Sequence, residues 1–122
     1  MTKVLLVDDD TRILALLKRG LMKTQKYQVM TESDSTLCPQ RAVEFRPDIM
    51  VLDINMPGTD GGDVAAGLKQ DSRTKDIPVI FLSSLIDKKD EARSRRTGAG
   101  GYLVAKPVTP DELSKHIEAR LK

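Results

Sequence analysis

The chain has 122 residues, which suits one compact domain over residues 1–122 and leaves little room for a second. Hydrophobic residues make up 39% and charged residues 31%, a balance that is typical of globular proteins and argues against disorder. Because 20 basic and 18 acidic side chains leave a net charge of +2, and Trp is absent, the composition argues against direct nucleic-acid binding.

Two further features of the sequence indicate the cellular compartment of the protein. No apolar run approaches the roughly 20 residues that a membrane span needs, and the short run Val4–Val7 is no signal peptide. Cys38 is the only cysteine, so no internal disulfide can form. We therefore expect a cytoplasmic protein without a membrane contact.

The first elements alternate between apolar runs and a helical repeat. Lys3–Val7 is a short apolar run followed directly by three acids, and it predicts a buried strand. From Thr11, apolar residues recur at helical spacing, with Asp10 or Thr11 as the N-cap. Tyr27–Thr31 predicts a second strand, and a loop leads to a helix over about Leu37–Phe45.

The middle of the chain contains the clearest strand. In Asp48–Asp53, four consecutive apolar residues lead into an acid, which favours a strand buried on both faces. Asn55–Gly62 contains Pro-Gly and Gly-Gly and predicts a loop, followed by a helix to about Gln70. Ile77–Leu82 predicts the fourth strand.

The last elements continue the alternation. Asp87–Thr97 predicts a charged helix, and Tyr102–Ala105 predicts a short fifth strand. Thr109 or Pro110 opens a final helix, since an N-cap, a proline and two acids follow one another there. Five strands alternating with five helices predict an α/β fold, with a parallel sheet between two layers of helices.

The polar residues of interest follow the predicted strands. The carboxyl ends of parallel strands share one edge of a sheet, where such folds bind ligands. The residues expected at that edge are Asp8, Asp9, Asp53, Ser83 and Lys106.

This set of side chains predicts phosphoryl chemistry with a metal ion. Clustered carboxylates repel one another unless a cation lies among them, and oxygen ligands favour Mg²⁺, with Mn²⁺ or Ca²⁺ as substitutes. Lys106 adds a fixed positive charge and Ser83 a hydroxyl donor, which suit a phosphoryl group. A carboxylate at this edge can act as the nucleophile.

The motifs together resemble the receiver domain family of two-component response regulators, over essentially the whole chain and in the right order. The resemblance implies a flavodoxin-like, doubly wound sheet of five parallel strands, in the order 2-1-3-4-5, with five flanking helices. The segments that carry it are Val7–Asp9, Asp48–Gly58, Asp60–Gly61, Pro78–Ser83 and Lys106–Pro107.

The resemblance also implies a Mg²⁺ site. Asp53 matches the phosphoacceptor, which is also a metal ligand. Asp9 matches the acid that binds Mg²⁺ directly, and Asp8 the acid that binds it mainly through water. Asn55 matches the residue whose backbone carbonyl is a ligand.

Two further matches concern the phosphoryl group. Ser83 matches the hydroxyl residue that contacts the group and moves on activation. Lys106 matches the lysine that pairs with the phosphate, and its bond to Pro107 is cis in the family.

The partners implied by the resemblance are a sensor histidine kinase or phosphotransfer protein as donor and a downstream effector protein or domain. The expected chemistry is limited to self-phosphorylation and dephosphorylation, so the chain is a signalling module and not a general enzyme. We expect a monomer or weak dimer that signals through the predicted helix Asp87–Thr97, the fifth strand and the last helix.

One position departs from the family pattern. The switch aromatic usually precedes the lysine by three positions, but Tyr102 precedes Lys106 by four, and Leu103 holds the usual place. Either a bulge restores the register of the tyrosine or Leu103 replaces it.

Other interpretations remain beside this one. The three acids after the first strand could serve simply to complement the dipole of the helix that follows them. Asp53 could likewise be no more than a strand-end cap. A haloacid-dehalogenase-type phosphatase also uses a nucleophilic aspartate, but it needs a second one where Asn55 stands. A pseudo-receiver would share the fold without being phosphorylated. We expect His116, in a polar final helix, to be exposed and inert.

Overall fold

The computed structural model describes residues 1–56, 59–84 and 102–121. The strands are β1 Thr2–Val7, β2 Tyr27–Glu32, β3 Ile49–Asp53, β4 Asn55–Met56, β5 Thr59–Asp60, β6 Val79–Ser83 and β7 Tyr102–Ala105. The helices are α1 Thr11–Lys23, α2 Cys38–Phe45, α3 Gly61–Gln70 and α4 Pro110–Leu121, and a 3₁₀ turn at Ser35–Leu37 precedes α2. The helix predicted over Asp87–Thr97 lies outside the described residues.

Five strands form one parallel sheet in the order β2-β1-β3-β6-β7. Because β6 and β7 are the fourth and fifth strands of this sheet, the predicted order 2-1-3-4-5 is confirmed. In the centre, Val4 of β1 lies opposite both Val29 of β2 and Ile49 of β3. The central strands are therefore covered on both edges and both faces.

Alternating side chains of the sheet divide the core into two clusters, one on each face. Helices α1 and α4 cover one cluster, which includes Val4, Leu6, Leu17, Leu21, Val51, Leu113 and Ile117. Helices α2 and α3 cover the other, which includes Leu5, Val7, Cys38, Met50, Leu52 and Leu68. Two-sided burial explains why the inner strands β3 and β6 are buried along their whole length and read as continuous apolar runs.

A glycine allows α1 and α4 to approach closely. A Cβ atom added at Gly20 would overlap with Cβ and Cγ of Pro110, the first residue of α4. The first residue of α4 therefore lies directly against α1.

The segment after β3 differs from the predicted loop. β4 and β5 pair as a short antiparallel hairpin, with Asn55 opposite Asp60. The prediction that Gly61 and Gly62 belong to the loop is wrong, since α3 begins at Gly61. Glycine is tolerated there because the first turn of a helix has few internal hydrogen bonds to lose.

Candidate functional site

Four strands of the sheet deliver polar residues to one edge. Asp8 follows β1, Asp53 ends β3, Ser83 ends β6 and Lys106 follows β7. Backbone hydrogen bonds continue the sheet to this edge: the Lys106 N–H donates to the Ser83 carbonyl at 2.8 Å, and the Asp8 N–H donates to the Glu32 carbonyl at 3.2 Å. The positions of the site residues are thus fixed by the sheet.

The ammonium of Lys106 lies between two buried carboxylates. Its Nζ donates to Oδ2 of Asp8 at 2.9 Å and to Oδ2 of Asp53 at 3.1 Å. Only 2% of Asp8 and 4% of Asp53 are exposed, so these charges lie largely out of water. Burial lowers the pKa of Lys106, but the hydrogen bonds and charges of the two carboxylates outweigh it and raise that pKa. Lys106 is therefore a cation at neutral pH.

The three consecutive acids after β1 have different roles. The Asp10 carboxylate accepts hydrogen bonds from the backbone N–H groups of Arg12 and Ile13, and so caps α1. Asp8 accepts from the Asp10 N–H at 2.9 Å, which orients its carboxylate. The helix-terminus interpretation therefore holds for Asp10, whereas Asp8 contacts the lysine and Asp9 turns toward the same edge.

The donor set fits a hard divalent cation. One carboxylate oxygen from each of Asp8, Asp9 and Asp53 lies within 4.8 Å of the others. Carboxylate oxygens are the ligands that hard divalent cations such as Mg²⁺ prefer, and this spacing lets the three carboxylates share one ion. Three carboxylates and the Lys106 ammonium leave two negative charges when all are ionised, which a divalent ion balances.

Two further residues predicted for the site, Ser83 and Asn55, lie at or just after the ends of sheet strands. Ser83 is 3% exposed and is paired with Ala105 in the sheet, one residue before Lys106. Asn55 lies in β4, two residues after Asp53. The ligand role of its carbonyl stays a prediction.

Comparison with known proteins identifies the family. The family model for the response regulator receiver domain matches residues 4–118. This chain belongs to that family. It is a receiver domain of the two-component response regulators, a signalling module, and the resemblance drawn from the motifs is confirmed.

Curated relatives of the receiver are longer proteins. The transcriptional regulatory protein PrrA of Mycobacterium leprae is 40% identical over 120 residues, which are 98% of this chain and 50% of PrrA. The transcriptional regulatory protein KdpE of Mycobacterium tuberculosis is 35% identical over 122 residues, which are 100% of this chain and 52% of KdpE. The chain thus spans about half the length of these relatives.

Solved structures agree with the fold. The chemotaxis response regulator CheY4 of Vibrio cholerae superposes with a TM-score of 0.82 at 26% identity, covering 99% of both chains. The N-terminal domain of the nisin resistance regulator NsrR gives a TM-score of 0.80 at 30% identity, covering 100% of this chain and 99% of that one. Within the described part of the receiver, none of the helices has the length and apolarity to cross a membrane.

The structure decides between the two alternatives for the switch position. β6 and β7 pair one residue to one, from Ile80 with Tyr102 to Ser83 with Ala105, so the strand contains no bulge. Tyr102 packs against the core under α1 and α4, and Leu103 packs against the opposite core. Leu103 therefore occupies the family position of the switch aromatic in the described strand. The Lys106–Pro107 peptide bond is cis, as the resemblance implied.

The tyrosine contacts a residue that sequence reasoning missed. The Tyr102 hydroxyl lies 3.2 Å from Nδ1 of His116, and the two rings meet edge to face with centroids 5.7 Å apart. The prediction that His116 is exposed is wrong, since the residue is half-buried against β7. Fourteen residues separate the pair, and no local pattern indicates which face of a polar helix meets a strand.

Proposed function

We propose that this receiver takes a phosphoryl group onto Asp53 with the help of Mg²⁺, and that residues 1–122 form one such domain. The observation that carries the proposal is the position of the Asp53 carboxylate. It is almost fully buried, lies in one group with two other carboxylates and accepts a hydrogen bond from Lys106. These are the surroundings of a nucleophile that must receive a highly charged group.

The transfer step is a displacement at phosphorus. An Asp53 carboxylate oxygen forms the new P–O bond while the donor's P–N bond to histidine, or P–O bond to acetate, breaks with its electron pair on the leaving group. Lys106 then pairs with the phosphoryl oxygens, and Ser83 donates its hydroxyl to one of them. Water hydrolyses the resulting acyl phosphate and returns the receiver to its first state.

Asp9, Asp53 and the Asn55 carbonyl would hold Mg²⁺, with Asp8 contributing through water. When bound, the ion would neutralise charge on the phosphoryl oxygens. The carboxylate spacing described above supports this assignment. Lys106 stays beside Asp8 and Asp53, and it orients both carboxylates before any donor arrives.

The surface beside the site suits a donor protein. An apolar cavity of about 330 Å³ lies against Lys106 and is lined by Ile13, Leu16, Pro107 and Val108. Leu16 is 57% exposed, and α1 carries four basic residues and no acid. A cytoplasmic histidine kinase or phosphotransfer protein that docks here would present apolar and acidic side chains next to its phosphohistidine. Leu16→Asp should slow transfer from such a protein on the order of tenfold and leave acetyl phosphate labelling unchanged.

The output is proposed from the relatives. RpaA of Synechocystis, 34% identical over this chain, is named a DNA-binding dual master transcriptional regulator, and the chain covers 50% of it. In a longer protein of this kind, the receiver would control a DNA-binding effector region, while the receiver itself would make no contact with nucleic acid.

Acetyl phosphate with Mg²⁺ tests the phosphoacceptor. Intact-mass spectrometry should show one added phosphoryl group on the wild type and none on Asp53→Asn. Label that persists in Asp53→Asn would place the acceptor elsewhere. A wild type that never gains mass would be a pseudo-receiver, and continuous release of phosphate from simple esters would indicate a phosphatase.

A further inference from the structure

The contact between Tyr102 and His116 joins the edge of the sheet to the C-terminal helix. It combines a hydrogen bond at 3.2 Å with an edge-to-face ring contact at an interplanar angle of 71°. A neutral His116 can accept at Nδ1 from the phenol, and a protonated ring can donate to the phenol oxygen. The contact therefore survives either protonation state of the histidine.

Strand β7 connects this contact to the candidate site. Lys106 follows the strand directly and is held by Asp8 and Asp53 through its ammonium. Among the described strands, β7 is an edge strand that pairs with β6 alone. An edge strand is restrained on one side, so a pull on Lys106 displaces it more readily than a central strand. From Tyr102 to Lys106 the extended chain spans about 13 Å.

Other described contacts hold α4 to parts of the fold that do not carry Lys106. Pro110 lies against Gly20 of α1. The Tyr27 hydroxyl of β2 lies 2.8 Å from Oγ of Ser114 and donates to Glu118 at 3.4 Å. These contacts fix α4 to α1 and β2, whereas the tyrosine–histidine contact is one through which β7 can act on the helix.

We infer that Tyr102 and His116 are positioning residues that couple Lys106, through β7, to α4. When Lys106 moves toward a phosphoryl group on Asp53, β7 shifts and draws His116, and α4 changes its packing against the sheet. The inference rests on the proposed phosphorylation of Asp53. It assigns an output role to a tyrosine outside the family's switch position, on the face of the sheet opposite Leu103.

Amide shifts of residues 111–121 and the ring shifts of His116, measured by NMR, test the coupling. Two perturbations are applied at the site: beryllofluoride with Mg²⁺, which mimics the phosphoryl group, and Lys106→Met, which needs no phosphoryl chemistry. Both should shift the α4 signals in the wild-type background. Tyr102→Phe keeps the ring and should reduce those shifts roughly threefold, a modest effect for the loss of one hydrogen bond. Tyr27→Phe is the matched control, since it removes a hydroxyl contact to the same helix, and should leave the shifts intact.

A rescue pair separates coupling from packing. His116→Gln can still bond the tyrosine and should retain most of the response, whereas His116→Leu should lose it. Acetyl phosphate labelling of Asp53 should be unchanged in Tyr102→Phe. Equal α4 shifts in the wild type and Tyr102→Phe, or equal losses in Tyr102→Phe and Tyr27→Phe, would overturn the inference. If the wild type takes no phosphoryl group, the proposed function fails, and the Lys106→Met arm still decides the coupling.

Discussion

The Lys106 ammonium lies 3.1 Å from Oδ2 of Asp53 and forms the same kind of contact with Asp8 on its other side. One cation thus compensates two carboxylates that would otherwise face each other with 2–4% exposure. It would also compete with a metal ion bound at the proposed site, because two positive charges would then share the same carboxylates.

Lys106→Met should therefore tighten Mg²⁺ binding, on the order of tenfold, while it weakens the response to phosphorylation. Titration followed by NMR or calorimetry measures the first effect, and beryllofluoride-induced shifts measure the second. Weaker Mg²⁺ binding in the variant would show that the lysine organises the carboxylates and does not compete for them.

The pKa of Lys106 sets the pH range of this effect. A raised lysine pKa means that its stabilising contribution is fully present below the unfolded value near 10.5 and is lost as the pH rises through the folded value. The difference in unfolding free energy between wild type and Lys106→Met should then be constant from pH 6 to about 9. Urea titrations at several pH values measure it, and a difference that varies within this range would contradict the prediction.

Asp9 and Asp10 are adjacent acids, of which Asp10 caps α1 and Asp9 is a proposed metal ligand, so their substitutions form a matched pair. Asp9→Asn removes a predicted metal ligand and should weaken Mg²⁺ binding by roughly tenfold or more. Asp10→Asn removes the same charge but retains a good helix cap, so its Mg²⁺ affinity should change less than about twofold. Equal affinities for Asp9→Asn and the wild type would exclude the proposed site.

Gly20 and Gly67 test the close approach of α1 and α4. A Cβ at Gly20 would overlap with Pro110, so Gly20→Ala should destabilise the fold by about 1–3 kcal/mol. A Cβ at Gly67 of α3 meets nothing within 4 Å, and Gly67→Ala should stabilise by about 0.5–1 kcal/mol through helix propensity. Thermal unfolding of both variants gives the comparison, and two changes of the same sign would refute this account of the packing.

The thiol of Cys38 should be unreactive toward thiol reagents in the folded protein. Burial, with a smaller contribution from Glu32, raises the pKa of its thiol to about 12, so the reactive thiolate is scarce at neutral pH. A thiol-specific reagent at pH 8 should react rapidly in denaturant and very slowly in the native state. Comparable rates in both conditions would mean that the helix carrying Cys38 opens readily.

The sequence predicts the sheet and the site well because both follow from strand ends. Once Asp8, Asp53 and Lys106 are placed after buried parallel strands, the topology brings them to one edge without further information. Turn chemistry alone could not reveal that Gly61 starts a helix, because Gly-Gly indicates a loop as readily as a first turn.

The face on which Tyr102 lies was also beyond sequence reasoning. A bulge between Tyr102 and Lys106 would have turned the tyrosine to the other face of the sheet, and the sequence alone does not show whether the strand contains one. Its contact with His116 depends further on how α4 is rotated against the sheet, which is set by Leu113 and Ile117 in the core. The contact between Tyr102 and His116 is therefore determined by tertiary packing and not by any local sequence pattern.

The crowding of three carboxylates at the sheet edge also bears on how long the folded chain survives. Repulsion between the carboxylates lowers the free energy of unfolding of the metal-free protein. An ion that binds only the folded form raises that free energy by about 2.7 kcal/mol at a hundredfold excess over its Kd. Resistance to proteolysis should therefore rise and fall with free divalent cation even when no phosphodonor is present. On the proposed function, the charges that surround Asp53 would thus also link the lifetime of the protein to the ionic state of its surroundings.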